Sequence, residues 1–368
     1  MEQKKKSGFS VYINSNENFQ NALILEQRKK RYRIGLIIAL MIVALCSILA
    51  YRYRTYHNIK VVKTISKDLT ESFQSFSYKK GTICYSEDGI YFLDGKGNEK
   101  WNRTYSIKNP QASYCGNYIV IASKNGNEIA LLDNDGQMKK FSVSYPIVDV
   151  EIAKQGVIAL MLHGDKGNYI ELYDKEGNLI VSHKSLLSEN GFPLSFSISN
   201  DGEKMMTSYL SIKEGSTENQ VIFYNFSNVG KDEVDRVVGT FNQYGETIVP
   251  AVYFVSNEDA IAIGDNVLTI YKMKEKPTIR KEIKFDKEIQ KVFYNEKYVG
   301  LIFENSKGDT PCKMEVYSLS GEKIMSKEIE MNLDHVKFAG KNVLMYDDVT
   351  CELISLKGVV KFKHVFTK

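Results

Sequence analysis

The sequence predicts an all-β protein, a seven-bladed β-propeller preceded by a single N-terminal transmembrane helix. Two observations predict it. An uncharged apolar run of 18 residues, Ile34 to Tyr51, lies between clusters of basic residues near the N-terminus. After it, a pattern of apolar strand, polar break and second strand recurs seven times, at a mean step of about 43 residues.

The apolar run is long enough to cross a bilayer. As a helix rising about 1.5 Å per residue, Ile34 to Tyr51 would extend about 27 Å, close to the thickness of the hydrocarbon core. Tyr32, Tyr53 and Tyr56 stand near its ends, where aromatic rings favour the headgroup region. We therefore predict a transmembrane helix over 34–51, which makes membrane lipid a partner of the chain.

Two alternatives to a permanent anchor were weighed, a buried core helix and a removable signal peptide. A leader of 33 residues is long for a signal peptide. Ile48 and Ala50 also make a poor pair of small residues for cleavage. An uncleaved anchor is the better interpretation.

The anchor divides the chain into a basic cytoplasmic tail (1–33), the helix (34–51), a juxtamembrane spacer (52–71) and the propeller (72–368). Basic residues flank the apolar run on both sides in similar number, but Lys4, Lys5 and Lys6 add to the N-terminal side. We therefore expect the N-terminus in the cytoplasm and the large domain outside, at the cell membrane.

Charge is distributed unevenly along the chain. Residues 1–67 contain thirteen Lys and Arg against three Asp and Glu, a net charge of +10, which leaves −6 for the rest of a chain whose total is +4. A mildly acidic main body repels phosphate backbones, so nucleic acid is not an expected partner.

The repeat predicts the architecture of that main body. Its breaks begin at Asp94, Asp133, Asp174, Asn225, Lys272, Ser318 and Ser355. Steps in the low forties, with segments rich in Val, Ile, Tyr and Phe, are typical of propeller blades of four short strands. Glycine stands three places after the first break residue in five of the seven copies, as at Gly97 and Gly177. Glycine adopts positive φ without a Cβ clash, so each break is predicted to be a hairpin turn.

These hairpins, together with the Asn200-Asp201-Gly202 turn, carry a resemblance. The region from about Ser72 to the end resembles bacterial WD-repeat-like and PQQ-like propellers, and the whole architecture is similar to an uncharacterised membrane-anchored propeller family of Firmicutes. The resemblance implies a fold rather than an activity. Trp101 is the single tryptophan and no Trp-Asp dipeptide occurs, so a quinone cofactor is not implied.

Catalytic signatures are missing from the sequence. The five histidines are dispersed without the spacing of a zinc site, and neither a serine-hydrolase elbow nor a phosphate-binding loop is found. We predict no catalytic residue, no metal and no cofactor. Four cysteines follow the anchor, Cys84, Cys115, Cys312 and Cys351; three pairings are possible, and free thiols are expected.

Insertions on one face of a repeat protein often mark its binding face. Three connections between the second and third strands of a blade are predicted to be enlarged, beginning at His163, Ser211 and Glu304. The residues predicted to line a ligand or partner surface on this rim are Asp165, Lys166, Lys213, Glu214, Lys307 and Asp309.

The function expected from these features is a noncatalytic, extracytoplasmic binding scaffold for envelope proteins or wall polymers. One alternative is an extracellular glycan hydrolase or lyase with two acids at the mouth of the central channel, their carboxyls about 5 to 10 Å apart. Another is an interaction hub that faces the cytosol. Accordingly, the expected partner is a protein or a polysaccharide.

Overall fold

The computed structural model describes residues 3–56, 59–62, 64, 73–186, 190–213, 215–305, 310–331 and 333–366. A single α-helix, α1 (Gln3–Tyr53), precedes 28 β-strands in the described part of the chain. The strands form seven sheets of four. The predicted all-β, seven-bladed propeller with one N-terminal helix is confirmed.

Helix α1 is long and apolar enough over Ile24–Tyr53 to span a membrane. Its side chains from Ile24 onward are exposed, and none of the apolar window is buried against the propeller. Leu36 and Ile48, for example, are each 62% exposed. A core helix would bury such side chains, so the core-helix alternative is wrong.

Each blade uses four strands that are consecutive in sequence. Blade 1 contains β1 (Gln74–Tyr78), β2 (Gly81–Tyr85), β3 (Gly89–Leu93) and β4 (Glu99–Thr104); blade 2 contains β5 (Pro110–Cys115), β6 (Tyr118–Ser123), β7 (Glu128–Leu132) and β8 (Met138–Ser142). Blade 3 contains β9 (Ile147–Ile152), β10 (Ile158–Gly164), β11 (Gly167–Tyr173) and β12 (Leu179–Ser185); blade 4 contains β13 (Phe192–Ile198), β14 (Lys204–Lys213), β15 (Ser216–Asn225) and β16 (Val237–Phe241).

The remaining three blades follow the same order. Blade 5 contains β17 (Ala251–Phe254), β18 (Asp259–Ile263), β19 (Val267–Met273) and β20 (Pro277–Lys284). Blade 6 contains β21 (Ile289–Tyr294), β22 (Tyr298–Glu304), β23 (Cys312–Ser318) and β24 (Lys323–Ile329). Blade 7 contains β25 (His335–Ala339), β26 (Asn342–Tyr346), β27 (Thr350–Ser355) and β28 (Val360–Val365). All neighbouring strands within these blades are antiparallel, as in the pairing of β26 with β27.

The repeated break forms the turn between the third and fourth strands, as predicted. In blade 1 the Asp94 carboxylate accepts the backbone N–H of Lys96 at 2.9 Å and of Asn98 at 3.0 Å. Gly97 has a φ of 77° there. At the equivalent Gly136 of blade 2, a Cβ would lie 2.8 Å from the ring of Trp101 on blade 1. Glycine at this position thus allows both the turn and the close approach of the neighbouring blade.

The core lies between the blades rather than within them. Among the described residues, six apolar clusters join consecutive blades from blades 1 and 2 to blades 6 and 7. Between blades 4 and 5, for instance, Phe223 is fully buried and its ring contacts those of Phe254 and Tyr271. We call each boundary between two neighbouring blades a seam. The thiols of Cys84, Cys115, Cys312 and Cys351 are free; Cys84 is buried and the other three are half-buried.

The two faces of the ring differ in their relation to the anchor. Because consecutive strands are antiparallel, the first and third turns of a blade lie at one end of its sheet and the second turn at the other. The backbone N–H of Tyr56, three residues after α1, donates to the carbonyl of Lys361 at the start of β28, at 2.7 Å. Lys361 directly follows the third turn of blade 7. We call the face with first and third turns proximal, and the other face distal.

Candidate functional site

The first strand of each blade borders the central channel, and aromatic rings converge there. The rings of Phe76 and Tyr114, from blades 1 and 2, are stacked with centroids 4.7 Å apart. Those of Tyr253 and Tyr294, from blades 5 and 6, lie 4.5 Å apart. Tyr114 nevertheless remains 47% exposed, because it faces open space. These four rings narrow the channel from two sides.

Several blades contribute groups that lie near the hydroxyl of Tyr294. Burial raises the pKa of this hydroxyl well above its ordinary value, and the nearby Glu151, Tyr253 and Tyr114 raise it further. Those three residues belong to blades 3, 5 and 2, so their electrostatic influence reaches Tyr294 across the channel. Groups from distant parts of the chain therefore lie around one channel, which is partly open to solvent, since Tyr294 itself is 39% exposed.

Glu151 is the most strongly perturbed carboxyl in this space. It lies near the end of β9, and its Oε2 accepts the backbone N–H of Ile198 at 2.7 Å and the hydroxyl of Ser197 at 3.1 Å. Loss of hydration raises the pKa of Glu151 to about 8, and the neighbouring Asp149 adds to this, although both hydrogen bonds favour the ionised form. Burial also raises the pKa of Asp149. One wall of the channel therefore carries two carboxyls that hold their protons unusually tightly.

The wall formed by blades 6 and 7 is basic. Lys337 on β25 donates to the hydroxyl of Ser77 on β1 at 2.9 Å. The ammonium of Lys291 on β21 donates to the carbonyls of Leu333 and Asp334, the latter at 3.2 Å. A cavity of about 470 Å³ lies between these lysines and the inner strands of blades 1 and 2. Its volume suits a small ligand.

The arrangement favours binding over metal chemistry. Asp149 and Glu151 lie two residues apart on one strand, so both project toward the same side, about 7 Å apart along β9. Within the described residues no group of three His, Cys, Asp or Glu side chains could hold a metal ion. Aromatic faces, two acids and two lysines can together orient a ligand that has an apolar body and polar ends.

The predicted rim residues lie on the distal face where they can be described. Asp165 and Lys166 form the two-residue turn between β10 and β11 and are exposed. Lys213 ends β14. Glu214, Lys307 and Asp309 lie outside the described residues. Whether these six side chains bind anything stays a prediction.

Two of the three predicted loops are instead paired strands. His163 pairs with Asn168, so only a tight turn remains in blade 3. In blade 4, Ser211 pairs with Glu218, and the pairing continues to Lys213 and Ser216. Polar composition suggested loops there, but the two arms of each hairpin satisfy each other's backbone groups, which favours continued strand pairing.

The aromatic and acidic channel residues were missed by the sequence analysis. Tyr114, Glu151, Tyr253 and Tyr294 each lie at the end of a first strand or one residue before it. This shared position in the repeat was the signal that could have found them. It becomes visible only when the first strand of every blade is assigned, and the repeat had been aligned on the third turn.

With the fold and channel described, the chain can be compared with known proteins. Residues 52–368 match a family of unknown function, DUF5711. The chain belongs to the DUF5711 family. This membership confirms the predicted kinship with an uncharacterised propeller family, and the match begins where the apolar run of α1 ends. No curated protein matches the chain in sequence.

Several solved structures are similar in fold to this member of the DUF5711 family. BamB from Moraxella catarrhalis is 11% identical with a TM-score of 0.52, over 80% of this chain and 88% of that one. Sqt1 from Saccharomyces cerevisiae is 10% identical with a TM-score of 0.54, over 78% and 82%. Hsv2p from Kluyveromyces lactis is 9% identical with a TM-score of 0.52, over 80% and 97%. At such identities the likeness shows the propeller fold alone.

Proposed function

We propose that this DUF5711 protein is a membrane-anchored, extracytoplasmic scaffold that binds envelope proteins or wall polymers without catalysing a reaction. The observation that carries the proposal is the contact between Tyr56 and Lys361, which joins the end of the anchor to the proximal face. With α1 in a bilayer, this contact turns the proximal face toward the lipid. The distal face, with Asp165 and Lys166, is then open to partners.

A protruding hairpin supports the distal face as the binding surface. The inner strand β13 pairs with β14 only as far as Leu210, and the outer strand β16 pairs with β15 only as far as Val221. Ser211 and Asn219 are buried at the base of this hairpin, and the described residues between them extend beyond the sheet as a two-stranded arm. Ile212 near its tip is 77% exposed. An isolated apolar side chain on a rigid arm is suited to insertion into a partner.

The test compares two exposed apolar residues of blade 4 on opposite faces. Ile212 is distal, and Val234, 83% exposed, lies in the proximal connection between β15 and β16. A photo-crosslinking amino acid at position 212 in intact cells should give a specific adduct with a protein or wall fragment. The charge reversal Asp165→Lys/Lys166→Glu should weaken this adduct, and the charge-conserving Asp165→Glu/Lys166→Arg should leave it unchanged. The same label at position 234 should give none. Equal labelling at both positions would contradict a distal binding face.

Orientation is tested separately. Protease added to intact protoplasts should degrade the propeller if it is extracytoplasmic, while a tag placed before α1 stays protected until lysis. The reverse pattern would instead support the hub that faces the cytosol. A soluble fragment lacking α1 in the culture medium would support cleavage of the helix as a signal sequence.

A second candidate function is glycan hydrolysis or lysis in the channel, and one observation favours it. Asp149 and Glu151 stand about 7 Å apart along β9, and the pKa of Glu151, which burial raises to about 8, would suit this carboxyl to hold a proton at neutral pH. Release of reducing ends from purified wall glycan by the wild-type chain, lost in Glu151→Gln and in Asp149→Asn, would establish this activity. Wild-type protein that binds the glycan without releasing ends would support the scaffold.

A further inference from the structure

A second cavity lies where the anchor meets the propeller. It has a volume of about 650 Å³ and is enclosed by the end of α1, by the linker to Tyr56 and by the proximal edge of blades 6 and 7. Ile324, Leu353 and Val359 supply apolar side chains to its wall. The distal rim and the central channel take no part in it, so this cavity is separate from the surfaces discussed above.

The polar lining of this cavity has one sign of charge. Its cations are Arg52, Arg54, Lys341, Lys357 and Lys361, and no carboxylate is present among its described lining residues. The ion pairs found in the described part of the chain involve none of the five. A concentration of unpaired cations around an enclosed space favours an anionic occupant.

Hydrogen bonds from Lys361 hold the end of α1 against blade 7 and so define one side of the cavity. The Lys361 ammonium donates to the carbonyl of Arg52 and to that of Arg54, the latter at 3.3 Å. The Arg52 carbonyl lies in the last turn of α1 and the Arg54 carbonyl just after it, where backbone oxygens lack helical partners and a cation is favoured. One lysine thus fixes the anchor end against β28 and leaves its full positive charge in the cavity, because carbonyls do not neutralise it.

The position relative to the bilayer identifies the kind of anion. Arg52 directly follows the apolar run that ends at Tyr51, so the cavity lies at headgroup depth when α1 spans a membrane. Phosphates of lipids are concentrated at this depth, and the apolar wall can receive the start of an acyl chain. A zwitterionic headgroup would also bring a cation, for which the cavity offers no carboxylate. The ring of Tyr56 is already covered by the guanidinium of Arg54, at 5.3 Å.

We propose that this cavity binds the headgroup of an anionic phospholipid. The lipid phosphate is held by the lysines of blade 7 and by Arg52 and Arg54 at the end of α1, and it fixes the proximal face against the membrane surface. The proposal requires α1 to be in a bilayer, and it holds whichever partner the distal face binds and on whichever side of the membrane the propeller lies.

The test uses the full-length protein in neutral detergent micelles. The protein is titrated with dioctanoyl phosphatidylglycerol or with dioctanoyl phosphatidylcholine, and native mass spectrometry counts the bound lipid molecules. The variant is Lys341→Ala/Lys357→Ala, in which the first and third turns of blade 7 each lose an exposed lysine. Its matched control is Lys154→Ala/Lys175→Ala. These two lysines are also exposed and lie in the first and third turns of blade 3, on the same proximal face.

Removal of two cations near a lipid surface should weaken phosphatidylglycerol binding about 30-fold, since each contributes about 1 kcal/mol. The control should change the affinity less than about twofold, and Arg54→Gln, a second independent variant, should weaken it about fivefold. Equal binding of the two lipids, or equal losses in variant and control, would overturn the proposal. Displacement of the lipid by millimolar inorganic phosphate would also overturn it, because the site would then be a free-anion site.

Discussion

Six seams of the ring are filled with buried apolar side chains, whereas the described residues form no such cluster at the seam between blades 7 and 1. At the seam between blades 5 and 6, for example, Leu301 on β22 is fully buried. At the equivalent strand of blade 7, Leu344 shares a face with Lys337 and is only half-buried. One contact that crosses from blade 7 to blade 1 is the hydrogen bond from Lys337 to Ser77.

The difference follows from how the ring is closed. Each blade takes its four strands from one continuous stretch of sequence, so no strand from one end of the chain completes a sheet formed by the other. Closure then depends on contacts between residues that are far apart in sequence, and their chain-closure entropy opposes it. We infer that the seam between blades 7 and 1 is the one at which the ring opens most easily.

The largest expected effect compares two leucines at equivalent strands. Leu301→Ala should lower the free energy of unfolding by about 3 kcal/mol, because it empties a fully buried site. Leu344→Ala should lower it by about 1 kcal/mol or less, because that side chain is already half-hydrated. Urea unfolding of the full chain in detergent measures both. Equal losses would mean that the seventh seam is packed as tightly as the others.

A second prediction concerns Glu151, which bridges blades 3 and 4 beside an apolar cluster. Its pKa in the folded protein, about 8, exceeds its ordinary value of 4.5, so the folded state binds the proton more tightly than the unfolded state. Stability should therefore be highest below about pH 4.5 with respect to this group and fall as the pH rises to about 8. The slope should approach 1.4 kcal/mol per pH unit.

Glu151→Gln removes this titration and keeps an oxygen that can accept from Ile198. The variant should be as stable as the wild type near pH 5 and more stable near pH 9, measured by urea unfolding at each pH. Identical pH profiles for the two proteins would show that Glu151 is well hydrated and that the channel does not exclude water.

The smallest effect compares two serines that carry polar bridges between blades. Ser197 is 2% exposed and its hydroxyl bonds both Glu151 and the backbone N–H of Phe254. Ser197→Ala leaves buried partners unpaired and should cost about 1.5 kcal/mol. Ser77→Ala, at the more hydrated seventh seam, should cost about 0.5 kcal/mol. A larger loss at Ser77 in thermal unfolding would make the bond to Lys337 the main closure of the ring.

Much of the architecture was predictable because its signals are local. The uncharged run from Ile34 to Tyr51 and the turns that begin at residues such as Asp94 need only neighbouring residues to be recognised. Seven copies of the same turn at a regular step then predict the blades. The enlarged loops were predicted with less success, because a polar hairpin such as residues 211–220 and a polar loop have similar compositions.

The sequence by itself thus determined the apolar N-terminal helix, the repeat and the number of blades, since each depends on residues that are close together in the chain. The tertiary structure alone decided which side chains share the channel, which seam is open and where the basic cavity lies. Lys337 and Ser77 are 260 residues apart, and Lys361 and Arg54 are 307 apart. Such pairs carry no local pattern, because they meet only after the ring has closed and the anchor has docked on blade 7.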